Sequence, residues 1–487
     1  MHKKNQTPTA SATRAGRLTF SLLVFSSLAL SPLARAQTAG GDAAEIQRLR
    51  QDIEAMRSSY EARLQALEQR LQAAETSIKE AAPPASGWAG STTAAAPRSS
   101  ATPAPEVAAA PAPAPVAAAG GGASAFNPAV ALILSGGYGR TSRDPSQYAI
   151  AGFPVPPGAE IGPGTRNFSL SESELALAAD IDPWFQGAAN IAMESDNTLS
   201  IEEAFIQTTG LGHGLTLKAG RFYSSIGYLN SQHSHTWDFV DAPLAYQAML
   251  GTQYNDDGVQ LKWLAPTDTF IEIGLELGRG LSFPGNSDDR NGAGMVALSA
   301  HTGGDVGDSN SWRAGVSVLN AKASSQTLQG LDAAGDSVTG VFSGSTRVWV
   351  ADGVWKWSPH GNATHTNFKL QGEYLNSRHD GSLALGGGSA SYNPTQSGWY
   401  LQGVYQFMPY WRVGLRTERL DAGSRNASLY ALGYAPRKNS IMLDYSPSEF
   451  SRVRLQFSQD RARPGGPDNE IFVQYQMSLG AHGAHIY

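Results

Sequence analysis

Two histidines one residue apart, His233 and His235, are followed closely by Asp238 and Asp241. Imidazole nitrogens and carboxylate oxygens are donors that first-row metals accept, so these four are a candidate metal-binding set, with zinc the cofactor they would suit. A loop that is merely polar contains the same residue types. A second pair, His482 and His485, lies near the end of the chain. The other chemistry-bearing residues are charges that a period-two pattern puts on one face of successive strands. Glu174, Asp180, Glu194, Glu203, Glu272 and Glu276 come from the first seven strands, and Arg412, Arg416, Arg452 and Arg454 from the last four. Around a watery lumen, an acidic side opposite a basic side would set a transverse field that sorts solutes by charge and dipole. The competing reading is charge pairing that stiffens the wall, and Lys218, Lys262 and Lys369 interrupt the segregation. GxSxG, P-loop and HExxH patterns are absent, no nucleophile spacing stands out, and the chain does not read as an enzyme.

The elements that must position these charges are strands. In Glu470–Leu479, Ile471, Val473, Tyr475, Met477 and Leu479 share one face, and Gln474, Gln476 and Ser478 fall on the other. Ile273, Leu275 and Leu277 oppose Glu272 and Glu276, and Val453, Leu455 and Phe457 oppose Arg452 and Arg454. Charged residues opposite an apolar face on strand after strand are costly in a soluble core, but not in a lumen. About sixteen such strands are legible in 127–487, joined by alternating long and short connections. The expected fold is therefore all-β, a transmembrane antiparallel β-barrel with both ends in the periplasm. The long connections are 141–167, 224–256, 280–292, 321–346, 378–395, 421–439 and 461–469. Loop 224–256 carries Ile226, Trp237, Phe239 and Leu244, too apolar to leave exposed, so it is expected to fold into the lumen as a constriction.

Composition agrees with that class. The chain has 53 Gly, no Cys and 16% charged residues, against a usual quarter. A net charge of −6 does not point to nucleic acid as a partner. Residues 1–36 read as a secretory signal, with an apolar Leu18–Leu30 core and an Ala34-Arg35-Ala36 cleavage site. Residues 37–80 read as a coiled-coil helix, on the spacing of Ile46, Leu49, Ile53, Met56 and Tyr60, then Leu64, Leu67 and Leu71. This helix would make the chain a homo-oligomer. An Ala/Pro/Gly-rich linker, 81–126, separates it from the barrel.

The order of signal, coiled coil, linker and barrel resembles that of phosphate- and carbohydrate-selective porins. Gly220–Gly251 (GRFYSSIGYLNSQHSHTWDFVDAPLAYQAMLG) and Leu443–His485 are similar to a narrower group of uncharacterised proteobacterial barrels, described as porin-like or as zinc-regulated TonB-dependent receptors. The receptor description implies about 22 strands and a folded plug, which residues 127–487 do not supply. The resemblance implies an outer-membrane channel through which small polar solutes or ions diffuse, seated in outer-membrane lipid with its coiled coil in the periplasm. Uptake of a metal or metal chelate, and a structural tether to the periplasm, are the alternatives.

Overall fold

The structure, a computed structural model, describes residues 128–286, 291–332, 334–423 and 434–480. The expected signal, coiled coil and linker, and His482 and His485, lie outside the described residues. Strand segments follow in chain order: β1 (Ala129–Thr141), β2 (Asn167–Leu170), β3 (Ser173–Asp182), β4 (Phe185–Met193), β5 (Leu199–Thr208) and β6 (Leu215–Tyr223). Next come β7 (Asn255–Leu264), β8 (Phe270–Gly278), β9 (Met295–Val306), β10 (Asn310–Leu331), β11 (Ser337–Trp357) and β12 (Asn367–Leu385). The last are β13 (Gly388–Tyr392), β14 (Thr395–Met408), β15 (Trp411–Asp421), β16 (Arg437–Ser448), β17 (Ser451–Arg461) and β18 (Asp468–Gly480). One short helix, α1 (Leu244–Leu250), interrupts the connection between β6 and β7.

Among the described residues the sheet is antiparallel throughout, and β18 pairs back on β1, so no edge is left open. β2 and β3 both pair with β1, and β13 and β14 both pair with β12. Each couple is one interrupted strand, so the eighteen segments build a closed barrel of sixteen. At the closing seam Gly136 lies under the Tyr475 ring. A Cβ there would meet the phenol oxygen at 2.8 Å, so the bare backbone is what lets the ring lie flat on β1.

The faces alternate as the sequence pattern requires. On β18, Ile471, Val473, Tyr475, Met477 and Leu479 are exposed, whereas Glu470, Gln476 and Ser478 are buried. The same inversion holds for Leu455 against Arg454 on β17 and for Leu415 against Arg416 on β15. An apolar exterior around a polar interior suits lipid outside and water within. On the neighbouring strands β11, β12 and β14 aromatic side chains stand on this exterior at two levels, Trp349, Tyr374 and Trp399 on one and Trp355, Tyr405 and half-buried Phe368 on the other. Trp349 and Trp355 stand six residues apart on β11, roughly 20 Å at about 3.4 Å per residue. With strands tilted by about 35–45° that is roughly 15 Å of height, which places both levels within the apolar band of about 25 Å.

Two expected loops prove to be strand. The stretch 321–346 is the outer half of the β10–β11 hairpin, beyond which the Gly335 N–H donates to the Asp332 carbonyl, and 378–395 is mostly the end of β12 and the whole of β13. β10 and β11 run 22 and 21 residues, about twice what a tilted strand needs to cross the membrane. Their outer halves rise beyond the lipid, where an apolar outer face is no longer required. The sequence there is rich in Ala, Ser, Gly and Thr with little alternation, so the strand signal fades although the pairing continues. Inside this rim Leu328, Phe342, Leu383 and Tyr392 form a small core.

Candidate functional site

The connection 224–254 folds into the barrel, as its apolar content predicts. Ile226, Trp237, Phe239 and Leu244 are all buried, and Tyr246 and Leu250 of α1 pack on inward-facing Leu319, Val350, Leu375, Tyr400 and Leu420. The loop closes at its neck through Asn230. The amide nitrogen of Asn230 donates to the carbonyls of Ser224 and Tyr254, and its oxygen accepts from the Tyr254 N–H, each at 2.8 Å. Glu276 on β8 accepts from the Ser225 N–H (2.8 Å) and from both serine hydroxyls, Ser224 (2.5 Å) and Ser225 (2.7 Å). Glu373 on β12 accepts from the N–H groups of Tyr228 (3.1 Å) and Leu229 (3.0 Å), and from the phenols of Tyr246 and Tyr400. Glu276, expected to line an open lumen, and Glu373 thus satisfy loop backbone that would otherwise be buried without partners.

Gly227 makes this seating possible. Its φ is +64°, and a Cβ there would stand 2.3 Å from Glu373 Oε2 and 2.7 Å from the Tyr246 hydroxyl oxygen. We expect Gly227→Ala to cost about 1–3 kcal/mol from the left-handed backbone alone. The measurement is thermal unfolding together with limited proteolysis, in which the variant's loop should be cut while the wild-type loop resists.

The four arginines seat the other flank of the loop. Arg412 pairs with Asp444 (3.0 Å) and Asp238 (3.5 Å), and Arg454 with Asp444 (3.1 Å). Arg416 pairs with Asp241 and Glu418, each at 2.7 Å, and stacks over the Phe239 ring. Arg452 and Arg454 donate to the carbonyls of His235 (2.6 Å) and Trp237 (2.8 Å). Buried Lys438 bridges Asp241 and Glu470, each at 2.7 Å. Burial would raise the Asp238 carboxyl, but Lys369 and Arg412 pull it down to about 2. Asp238 and Asp241 are therefore ion-pair partners of the basic wall. The four-residue metal set read from the sequence is split, because its aspartates and its histidines turn to different walls.

His233 and His235 turn to the carboxylates of β3 and β5. His233 Nδ1 stands 3.2 Å from Glu202 Oε2 and 3.4 Å from Glu174 Oε2, and its Nε2 stands 3.1 Å from Glu203 Oε2. His235 Nδ1 lies 2.9 Å from Glu174 Oε2, and the Ser234 hydroxyl donates to Glu172. Consecutive residues of a regular strand cannot share a face, yet Glu202 and Glu203 are both buried here. A bulge explains it: Asn190 pairs with Glu203 and Ile191 with Ile201, which leaves Glu202 as the extra residue. His233 belongs to the loop and not to a spanning strand. Burial disfavours its charged form, but Glu174, Glu202 and Glu203 outweigh that and raise its pKa well above the ordinary imidazole value.

The expected opposition of acidic and basic sides is not what barrel closure gives. Between the cluster on β3 and the arginines of β17 stand only β18 and β1, because the ends of the chain pair with each other. Further round, Glu272 pairs with Lys262 (3.4 Å) and approaches His301 (3.8 Å). Glu194 follows β4 in a turn and accepts from Ser200, and Asp180 is exposed near the opposite end of β3. Most of these charges are neutralised locally. The sequence reading missed Glu202, Asp444, Glu418, Lys438 and Glu470. Alternation with Leu443 and Tyr445 could have found Asp444, but nothing in the sequence marks the bulge at Glu202.

A closed barrel with an apolar exterior, a charged interior and a long loop folded into it is an outer-membrane porin. A family model described as "Phosphate-selective porin O and P" matches residues 181–419. An uncharacterized protein of Aquifex aeolicus (strain VF5) is 30% identical over 392 residues, which cover 74% of this chain and 80% of that protein. Solved structures similar to this one include the anion-selective porin of Comamonas acidovorans, with a TM-score of 0.44 and 10% identity over 72% of this chain and 99% of that one. Another is the outer-membrane channel DcaP of Acinetobacter baumannii, at 0.43 and 12% over 72% and 97%. The chain belongs to one family with the Aquifex aeolicus protein, its residues 181–419 match the porin O and P model, and it is an outer-membrane channel for the diffusion of small solutes.

Proposed function

We propose that this porin admits small polar solutes past the infolded loop and prefers cations to anions. The observation that supports the preference is the pairing of cationic side chains around the loop. Arg412, Arg416, Arg452, Arg454, Lys369 and Lys438 each contact a carboxylate, whereas Glu174, Glu202 and Glu203 converge on two histidines and Glu172 on the serine between them. A phosphate path, which the family's description names, needs cationic groups free to replace the hydration of the anion, and these are already engaged. The reversal potential across a planar bilayer under a salt gradient, with chelator present, tests this. Cation preference is expected, with a decrease in Glu203→Gln; anion preference contradicts the reading.

The N-terminal segments fit the same reading. Residues 1–36 direct export, and the 37–80 coiled coil joins protomers in the periplasm at the end of the 81–126 linker. Deleting 43–126 should abolish chemical cross-linking between copies through this helix and leave the conductance of each barrel unchanged.

A further inference from the structure

We propose that Glu174, Glu202 and His233 bind one divalent first-row transition ion, of which Zn2+ is the test case, and that this ion fastens the infolded loop to the wall of β3 and β5. One donor atom from each of the three residues lies within 4.8 Å of the others. The two distances from His233 Nδ1, 3.2 Å to Glu202 Oε2 and 3.4 Å to Glu174 Oε2, are close to a coordination edge. A tetrahedral ion with bonds of about 2.0–2.1 Å holds its donors roughly 3.3 Å apart.

The surroundings of the donors suit that role. A ligating histidine almost always gives its second ring N–H to a carboxylate, a backbone carbonyl or water, which fixes the tautomer and turns the other nitrogen toward the ion. His233 Nε2 has such a partner in Glu203 Oε2 at 3.1 Å, with the Asn190 side-chain nitrogen beside it at 2.9 Å. Glu203 is itself held by the Tyr223 N–H at 3.0 Å. The Tyr223 hydroxyl donates to Glu202 Oε1 at 2.6 Å, which directs Oε2 of the same carboxylate at His233. The His235 ring stacks on His233 with centroids 5.6 Å apart and planes 21° from parallel, and limits how far the imidazole can turn. Glu174 and Glu202 are 2% and 7% exposed, and with buried Glu203 on the other side of the imidazole a divalent ion would offset much of their charge. The nitrogen donor and the small donor number select zinc-like ions over Ca2+ or Mg2+, which take six or more oxygens.

The ion would join a loop residue to two strands and so fix the position of the constriction. This goes beyond the channel reading, since a porin conducts whether or not its loop is fastened by a metal. The test is calorimetric titration of Zn2+ into the untagged, chelator-stripped full chain in detergent. One ion per chain is expected, and His233→Ala and Glu202→Gln should remove that binding. Tyr223→Phe should weaken it by about tenfold or more while leaving all three ligands in place. Circular dichroism confirms that each variant keeps its barrel, and Co2+ substitution should give the strong visible absorption of a tetrahedral site. Absence of Zn2+ binding, or equal binding by wild type and variants, overturns the proposal and leaves a protonated His233 as the partner of these carboxylates. Steady conductance by His233→Ala would separate that failure from a failure of the channel reading.

Discussion

Replacing residues 226–252 with an Asn-Gly turn should raise the unit conductance severalfold and abolish most ion selectivity. β6 and β7 are in register up to Tyr223 and Asn255, and the Ser224 N–H donates to the Tyr254 carbonyl at 3.1 Å. The hairpin is therefore already closed at its neck, and a two-residue turn of the type favoured there can take over the connection. The deleted segment carries most of the loop side of the lumen's apolar core, including Trp237, Leu244, Tyr246 and Leu250, while Ile150 and Phe153 of the β1–β2 connection remain. Its removal exposes Leu319, Val350 and Leu375 to water but leaves every strand pairing intact. Arg454 keeps Asp444, and Lys438 keeps Glu470 and Asp460. We therefore expect a folded barrel with a wider pore. Unchanged conductance from such a barrel would show that the loop does not set the limiting section.

Asp444→Asn should be the most damaging single substitution in the wall. Asp444 is fully buried and stands at 3.0 Å from Arg412, 3.1 Å from Arg454 and 3.8 Å from Arg452. Loss of its charge leaves three guanidiniums crowded on one flank, and stranding a buried charge typically costs about 3–5 kcal/mol. The same change frees cationic groups toward the lumen, so the reversal potential should move in the anion direction. Thermal unfolding by circular dichroism and the reversal potential read the two effects separately. Adding Arg412→Gln should recover part of the stability, because it removes one of the charges that Asp444 compensated. A variant as stable and as selective as wild type would mean that water, and not Asp444, satisfies these arginines.

The barrel was legible because lipid imposes a strict rule on the strands within it. The apolar set of β18 and the Arg452, Arg454 and Gln456 set of β17 sit on the faces that alternation assigns. The rule ends where the lipid ends, which is why the outer halves of β10, β11 and β12 passed for loops. That the 224–254 loop turns inward could be read from Ile226, Trp237 and Phe239, whose burial requires a protein interior. Which wall each polar residue meets could not be read, since that follows from barrel closure and from a bulge at Glu202. His233 and His235 were singled out for their donor atoms, but their partners Glu174, Glu202 and Glu203 come from 30 or more residues away.

The most direct test of a porin narrowed by its own loop is the single-channel conductance of the purified mature chain in planar bilayers. The account predicts steady openings in multiples of one unit, smaller than the unit of the loop-replacement variant. A silent bilayer from demonstrably folded barrel would contradict it, and would mean that the loop closes the lumen.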